Sequence, residues 1–344
     1  MNLAQLDHIK LNFIVGSGRS GTTLLVYIFN QNPNCIASPE IKHFIHFYKK
    51  YKNVKKVSQT LINDYSKYLK IYAKNKKLFM HYGSETLLNK LKVGQEINYS
   101  RLTKLFFFCL TEEKQNINEI NVIIDKNPYY TFYLKKITSF FPDAKIIFML
   151  RDYRAFVLSN RQSQKKRVKI LSIYYYSLVW NLFLKKALAV QKKHPTQLSF
   201  IKYEDLVYEK ESTIKHIANY FDVVYSPEML NFHETIRENL KRKKLSQIQY
   251  EWATKKIENL SKPLNSSRVE AWKKELTFSE IQSIEIICSR YGKLVGYKPI
   301  TNEPSIILKI KTFILSLSAK TRLFIFHLVD NPKLKFYFDF KKNN

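Results

Sequence analysis

Cysteine is nearly absent: three in 344 residues, at Cys35, Cys109 and Cys288. Odd in number, far apart and without metal-ligand spacing, they support neither a disulfide framework nor a zinc site, and they fit a reducing compartment. Acidic residues are scarce as well. Asp+Glu number 28 against 58 Lys+Arg, a formal net charge of +30, which excludes an acidic disordered chain. No uninterrupted apolar run reaches the roughly 18 residues that a transmembrane helix needs. Residues 1–10 carry no apolar signal core. What the chain does have is 45% hydrophobic and 15% aromatic residues, ample for a packed core in one large or two moderate domains.

The positive charge favours anionic partners: nucleotides, nucleic acid, sulfated or phosphorylated glycans, or an anionic membrane surface. Composition offers a second explanation. Lys, Asn, Ile, Tyr and Phe are abundant and glycines number only 7, the mix that an A+T-rich genome encodes whatever the function. Charge alone selects no partner.

Residues 9–15 form a short apolar run that reads as a buried strand. It breaks at Gly16-Ser17-Gly18-Arg19-Ser20-Gly21, residues 22–30 then show helical spacing, and Asn32-Pro33-Asn34 ends the helix. Residues 40–120 read as mostly helical and polar, an insertion or substrate-facing lobe. A second strand is expected at 121–125 and a helix at 129–140. A third strand follows at 145–150, running at once into Arg151-Asp152 and a helix through Arg161. A long helix is expected at about 171–193 and a fourth strand at 198–203. This alternation predicts a parallel sheet with right-handed crossovers and ligands beyond the carboxyl ends of its strands. The chemically informative segments each follow a strand, so one cleft can gather them.

Gly16 and Gly21 have the spacing of a Walker A loop, but Thr22 stands where that loop has its Lys. Arg19 is the nearby cation. The turn and the helix behind it can still present backbone N–H groups to an anion. The pattern suits a phosphate-like group without the side-chain chemistry of a nucleoside triphosphatase; the bland alternative is an ordinary βα turn.

The segment from Phe13 through Gly16, Gly18, Arg19, Ser20, Gly21, Thr22 and Thr23 to Leu25 resembles the 5′-phosphosulfate loop of the sulfotransferases that use 3′-phosphoadenosine 5′-phosphosulfate (PAPS). Further motifs follow in the family's order. Asn32-Pro33-Asn34-Cys35 and Pro39-Glu40-x-x-His43-Phe44 are similar to the segment after the first helix in bacterial and tyrosylprotein sulfotransferases, with Glu40 following Arg19 by 21 residues. Asp125-Lys126-Asn127-Pro128 resembles the Lys-x-Pro segment. Phe141-Pro142-Asp143-Ala144, with the strand behind it and Arg151-Asp152-Tyr153-Arg154, resembles the 3′-phosphate motif. Tyr203-Glu204-Asp205-Leu206 matches a further family segment, and Ser261-Lys262-Pro263-Leu264-Asn265 the loop that closes over the nucleotide.

The resemblance implies an α/β, P-loop-type three-layer fold: a central parallel sheet flanked by helices in a sulfotransferase domain at 1–300, with a helical insertion at about 41–120 and a helical tail at 301–344. It implies PAPS as co-substrate, adenosine 3′,5′-bisphosphate as product and no metal. Gly18, Arg19, Ser20, Gly21, Thr22 and Thr23 would bind the 5′-phosphosulfate, Arg151 and Ser159 the 3′-phosphate, and Lys262 would close the site. Arg19 and Lys126 would neutralise charge on the leaving phosphate, and Glu40 would take the acceptor's proton. Each role has a competitor. His43 and His46 are rival bases, and Glu40 could serve only as a helix N-terminal acid. Lys126 could be a solvated charge, Arg151 a salt-bridge partner of Asp152 or a neighbour, and Ser159 a helix-surface residue. Glu204 and Asp205 are expected to brace the fold. The acceptor is expected to be a saccharide or glycolipid hydroxyl, with a tyrosine hydroxyl as the alternative, and nucleic acid is not expected as a partner. PAPS is made in the cytosol and no anchor of the Golgi type is recognised, which implies a cytoplasmic enzyme.

Two aromatic runs, Phe106-Phe107-Phe108 and Tyr174-Tyr175-Tyr176, read as core or cleft wall rather than as base-stacking platforms. Residues 305–329 are apolar with Lys309, Lys311, Lys320, Arg322 and His327 interspersed. They read as a basic amphipathic helix pair lying on an anionic bilayer, or as a segment packed on the main domain or a partner subunit. A P-loop nucleotide kinase and a non-catalytic polyanion binder are the remaining alternatives for the whole chain.

Overall fold

In the computed structural model, which describes residues 3–38, 40–75, 84–110, 116–163, 169–234 and 266–329, five strands form one parallel sheet in the order β2-β3-β1-β4-β5. They are β1 (Lys10–Gly16), β2 (Cys35–Ser38), β3 (Val122–Lys126), β4 (Ile146–Leu150) and β5 (Leu198–Lys202). Four match the sequence expectation. β2 does not: at four residues it is too short for periodicity to show, and it sits at the sheet edge beside β3.

The strands read as near-continuous apolar runs because both faces are covered. Along β1, Leu11, Phe13 and Val15 enter one apolar cluster and Ile14 enters the other. Along β4, Ile146, Phe148 and Leu150 divide from Ile147 and Met149 in the same way. Helix α1 (Thr22–Phe29) covers the second face. The first lies under a larger set: α2 (His43–Tyr51), α3 (Gln59–Asn75), α4 (Ser84–Lys90), α5 (Tyr99–Cys109), α6 (Leu134–Phe140), α7 (Tyr153–Ser163) and α8 (Lys169–Gln191). After β5 come α9 (Tyr203–Tyr208) and α10 (Lys210–Tyr220), also on the second face.

Helices α2 to α5 bear out the helical reading of 40–120 but not its polar character. Phe44, Phe47, Tyr65, Tyr99 and Phe106 are fully buried there, with the Phe47 and Tyr65 rings stacked at 4.1 Å. The abundant lysines occupy the outward positions of amphipathic helices and mask an aromatic interior in the composition. Phe106, Phe107, Tyr174 and Tyr176 are core residues, as expected.

The C-terminal part consists of α11 (Ser267–Glu275), α12 (Phe278–Leu294) and α13 (Ile306–Val329). Ile306–Val329 is one continuous helix rather than the expected pair. A buried ion network ties this part to α7: Arg154 donates to Asp152 Oδ2 at 2.6 Å and to Glu285 Oε1 on α12 at 2.7 Å. Glu285 also accepts the backbone N–H groups of Ile300 and Thr301. Removing one member of a buried pair strands the other charge in low dielectric. Glu285→Ala is therefore expected to destabilise the protein by about 3–5 kcal/mol in denaturant titration; a change within experimental error would contradict this role.

Candidate active site

All five strands are parallel, so their carboxyl ends lie along one edge of the sheet. The chain leaves β1 toward the β2 side and leaves β4 toward the β5 side. Adjacent strands whose connections diverge open a crevice at their carboxyl ends, where ligands of such sheets bind. Gly16 ends β1 and Leu150 ends β4, and the residues after each meet in that crevice.

The turn after β1 depends on two glycines. Gly16 has φ +146, and a Cβ there would lie 2.7 Å from the Met149 carbonyl oxygen. Gly21 caps α1 at φ +85, where a Cβ would strike the Tyr203 ring at 2.7 Å. Arg19 also adopts a positive φ of 69, an uncommon conformation for a residue other than glycine. Ser17 and Ser20 are buried and bonded to each other through their hydroxyls at 2.9 Å. Thr22 is buried and Thr23 exposed at the start of α1, whose N-terminus has no side-chain cap. Its first N–H groups and the positive end of its dipole face the crevice uncapped, an arrangement suited to an anion.

Across the crevice, Arg151 Nη1 donates to the Arg19 carbonyl at 2.9 Å and Nη2 to the Arg268 carbonyl at 3.0 Å. Its guanidinium lies over the Tyr203 ring at 4.6 Å. Nε is buried with no hydrogen-bond partner. The alternative of a salt bridge with Asp152 does not arise, because Asp152 pairs with Arg154. Arg19 Nε reaches Ser159 Oγ on α7 at 3.4 Å, so the half-buried Ser159 lies on the side of α7 that meets the turn.

At the end of β3, Lys126 Nζ donates to Glu40 Oε1 at 2.9 Å and to Thr23 Oγ1 at 3.3 Å. The Lys126 side chain is 3% exposed and that of Glu40 51%. The ammonium is thus held inside the crevice while the carboxylate opens to solvent, and Lys126 is no solvated surface charge. Burial holds the neighbouring Asp125 carboxyl far above its ordinary range.

The two histidines weighed as bases lie elsewhere. His43 is fully buried, its Nε2 hydrogen-bonded with Tyr65 Oη at 2.7 Å and its ring against Phe106 at 4.3 Å. Burial pushes its pKa well below the usual imidazole value, and that of His46 down to about 4. Glu204 braces the crevice as expected: it accepts from the Asp152 backbone N–H at 3.0 Å and from Tyr297 Oη at 2.7 Å. Lys262 lies outside the described residues.

Sequence reasoning missed two contributors and gave no role to a third. Tyr203, noted only as part of a family segment, walls both Gly21 and Arg151 from its position directly after β5. Trp180 Nε1 donates to the Arg151 carbonyl at 2.9 Å from the middle of α8, and the Arg268 carbonyl comes from α11; neither lies near a strand end in sequence. The described residues contain no cluster of His, Cys, Asp and Glu able to hold a metal ion.

Comparison with known proteins bears on the family and the fold. Two nematode proteins named as protein-tyrosine sulfotransferases are similar to the chain. The protein from Caenorhabditis briggsae is 31% identical over 116 residues, which is 33% of this chain and 41% of that protein. The one from Caenorhabditis elegans is 23% identical over 184 residues, 53% and 68% of the two chains. The match thus spans less than half the length of the first relative. Among solved structures, the sulfotransferase domain from the curacin biosynthetic pathway shares the fold, with a TM-score of 0.53 at 17% identity over 84% of this chain and 98% of that one. A sequence profile described as Sulfotransferase family matches residues 12–227. That match takes in β1 from Asn12 onward and the other four strands, with Arg19, Glu40, Lys126, Arg151 and Ser159 and well over half of the chain, which therefore belongs to the sulfotransferase family.

Proposed function

We propose that the protein transfers the sulfuryl group of PAPS to an acceptor hydroxyl. The observation that carries this reading is the contact of Lys126 with both Glu40 and Thr23. It joins a solvent-facing carboxylate to the head of the anion-binding turn through one buried cation. The unpartnered Arg151 Nε in the same crevice supports a second anionic subsite, as the ribose phosphate of PAPS requires.

When bound, PAPS supplies a sulfuryl group on a phosphate leaving group. The backbone of Gly18, Ser20, Gly21, Thr22 and Thr23, with Arg19, would hold the 5′-phosphosulfate; Arg151 and Ser159 would hold the 3′-phosphate, and Lys262 would close over the nucleotide. By analogy with loose phosphoryl transfer, the protein's work is to align the reactants and neutralise charge on the leaving side. Arg19 and Lys126 do the second. Glu40 accepts the proton of the attacking hydroxyl at its open edge. No metal is part of this scheme, and neither is nucleic acid. PAPS is made in the cytosol, so the reaction is proposed for the cytoplasm, carried by a domain at 1–300 with the tail at 301–344 appended.

The acceptor is proposed to be a saccharide or glycolipid hydroxyl. A tyrosine hydroxyl is the second reading, favoured by the names of the two nematode relatives. Incubation with PAPS and a panel of saccharides, glycolipids and tyrosine peptides, read by mass shift, separates the two.

Three substitutions test the roles. Glu40→Gln should lower turnover about 10²–10⁴-fold, the usual worth of a general base, while nucleotide affinity stays unchanged in calorimetry. Near-normal turnover would remove Glu40 from the reaction. Arg19→Ala should lower the rate by about a hundredfold or more, as loss of one fixed donor to developing charge does; a rate within a few-fold of the parent would overturn the leaving-group role. Arg151→Ala should weaken adenosine 3′,5′-bisphosphate binding by about tenfold or more, since hydrogen bonds to charged groups contribute about 1.5–3 kcal/mol. Unaltered affinity would place the ribose phosphate elsewhere.

A further inference from the structure

Helix α13 turns six large apolar residues away from its own protein. On its inner face Leu315 packs against the core, Thr312, Ser316 and Ala319 are buried, and Thr312 Oγ1 bonds Ser283 Oγ on α12 at 3.2 Å. Its outer face presents Ile306, Ile307, Ile310, Phe313, Ile314 and Leu317, exposed from 46% at Leu317 to 74% at Ile307. At about 3.6 residues per turn these six fall on roughly one third of the helix circumference. A contiguous apolar surface of this kind marks an interaction site.

The charges around the stripe identify the partner. From Ile306 to Val329 there is no acidic residue. On the helix circumference Lys309 and Lys320 border one edge of the stripe and Lys311 the other; Lys309 also reaches Glu303 at 2.7 Å. Long cationic side chains flanking an apolar stripe can extend toward lipid phosphates while the stripe enters the acyl boundary. A second copy of this chain would bring another +30 of like charge, with no acidic residue of its own α13 to meet these lysines. An anionic bilayer meets both the apolar and the charge requirement.

We propose that α13 seats the protein on an anionic membrane surface, with its apolar stripe below the headgroups and its lysines at the phosphates. The helix lies on the bilayer rather than crossing it. No helix among the described residues is long and apolar enough to span, and the Thr312–Ser316–Ala319 face is already committed to the protein. Because α13 packs on α8 and α12, the membrane contact is rigidly joined to the body of the molecule instead of hanging from a tether. The inference stands on the surface of α13 and is independent of the reaction proposed above.

The test is co-sedimentation of the protein with phosphatidylcholine vesicles, with and without phosphatidylglycerol, at physiological ionic strength, where a Debye length of about 8 Å leaves charge contacts at the bilayer surface in force. The protein should pellet with the phosphatidylglycerol vesicles. The double variant Ile310→Glu/Ile314→Glu should bind about tenfold or more weakly, and Phe313→Ser should lie between, since affinity scales with buried apolar area. All three side chains are solvent-facing, so thermal midpoints should stay at the parent value. Equal vesicle binding by parent and variants would overturn the proposal, as would failure of the parent to pellet. A parent that stays in the supernatant as a dimer, split by the same variants in analytical ultracentrifugation, would assign the stripe to a second copy instead.

Discussion

The hydrogen bond from Arg151 to the carbonyl of Arg19 joins the two halves of the crevice, and the geometry of the site depends on it. One partner lies in the turn after β1 and the other directly after β4, so the bond closes the gap where the chain's connections diverge. The turn can present its backbone there only because Gly21 adopts a left-handed conformation beneath the Tyr203 ring. The same ring supports the Arg151 guanidinium. Glu204 then anchors the backbone one residue further on, at Asp152. Each group is held by a neighbour that is itself held, as preorganised electrostatic sites require.

Charge is distributed unevenly around that bond. Arg154 is paired with two carboxylates in the interior and has a structural task. Arg151, three residues earlier and also buried, bonds through its Nη atoms to carbonyl oxygens and has no ion pair among the described residues, although the Glu204 carboxylate acts on it at longer range. Burying a cation is costly, and an arriving anion offsets that cost. Lys126 differs again, since its counter-charge Glu40 belongs to the site and faces solvent. The three cations thus have separate tasks, set by what lies within hydrogen-bonding reach of each.

The central strands were legible because parallel strands covered on both faces appear as plain apolar runs, and Arg19, Lys126 and Arg151 were legible because each stands at or just beyond the end of such a run. For that reason Arg19 meets Arg151 and Lys126 meets Thr23, while Ser159 reaches Arg19 from further along, on α7. β2 was hidden by its length, and the aromatic interior of α2 to α5 by the lysines on the outer faces of the same helices. Trp180 and Arg268 were beyond reach because their contributions arise from helix packing, with no local signature. His43 looked like a rival base from spacing alone. Its place in the aromatic core is decided by contacts with Tyr65 and Phe106, residues far from it in sequence.

The claim that this crevice recognises both phosphate ends of one nucleotide is tested most directly by calorimetry of the purified protein with adenosine 3′,5′-bisphosphate and, separately, with AMP. If the Gly18–Thr23 turn and Arg151 act as two subsites of one ligand, the bisphosphate binds tightly and AMP, which lacks the ribose phosphate, weakly. Comparable weak affinities for the two nucleotides would contradict the account.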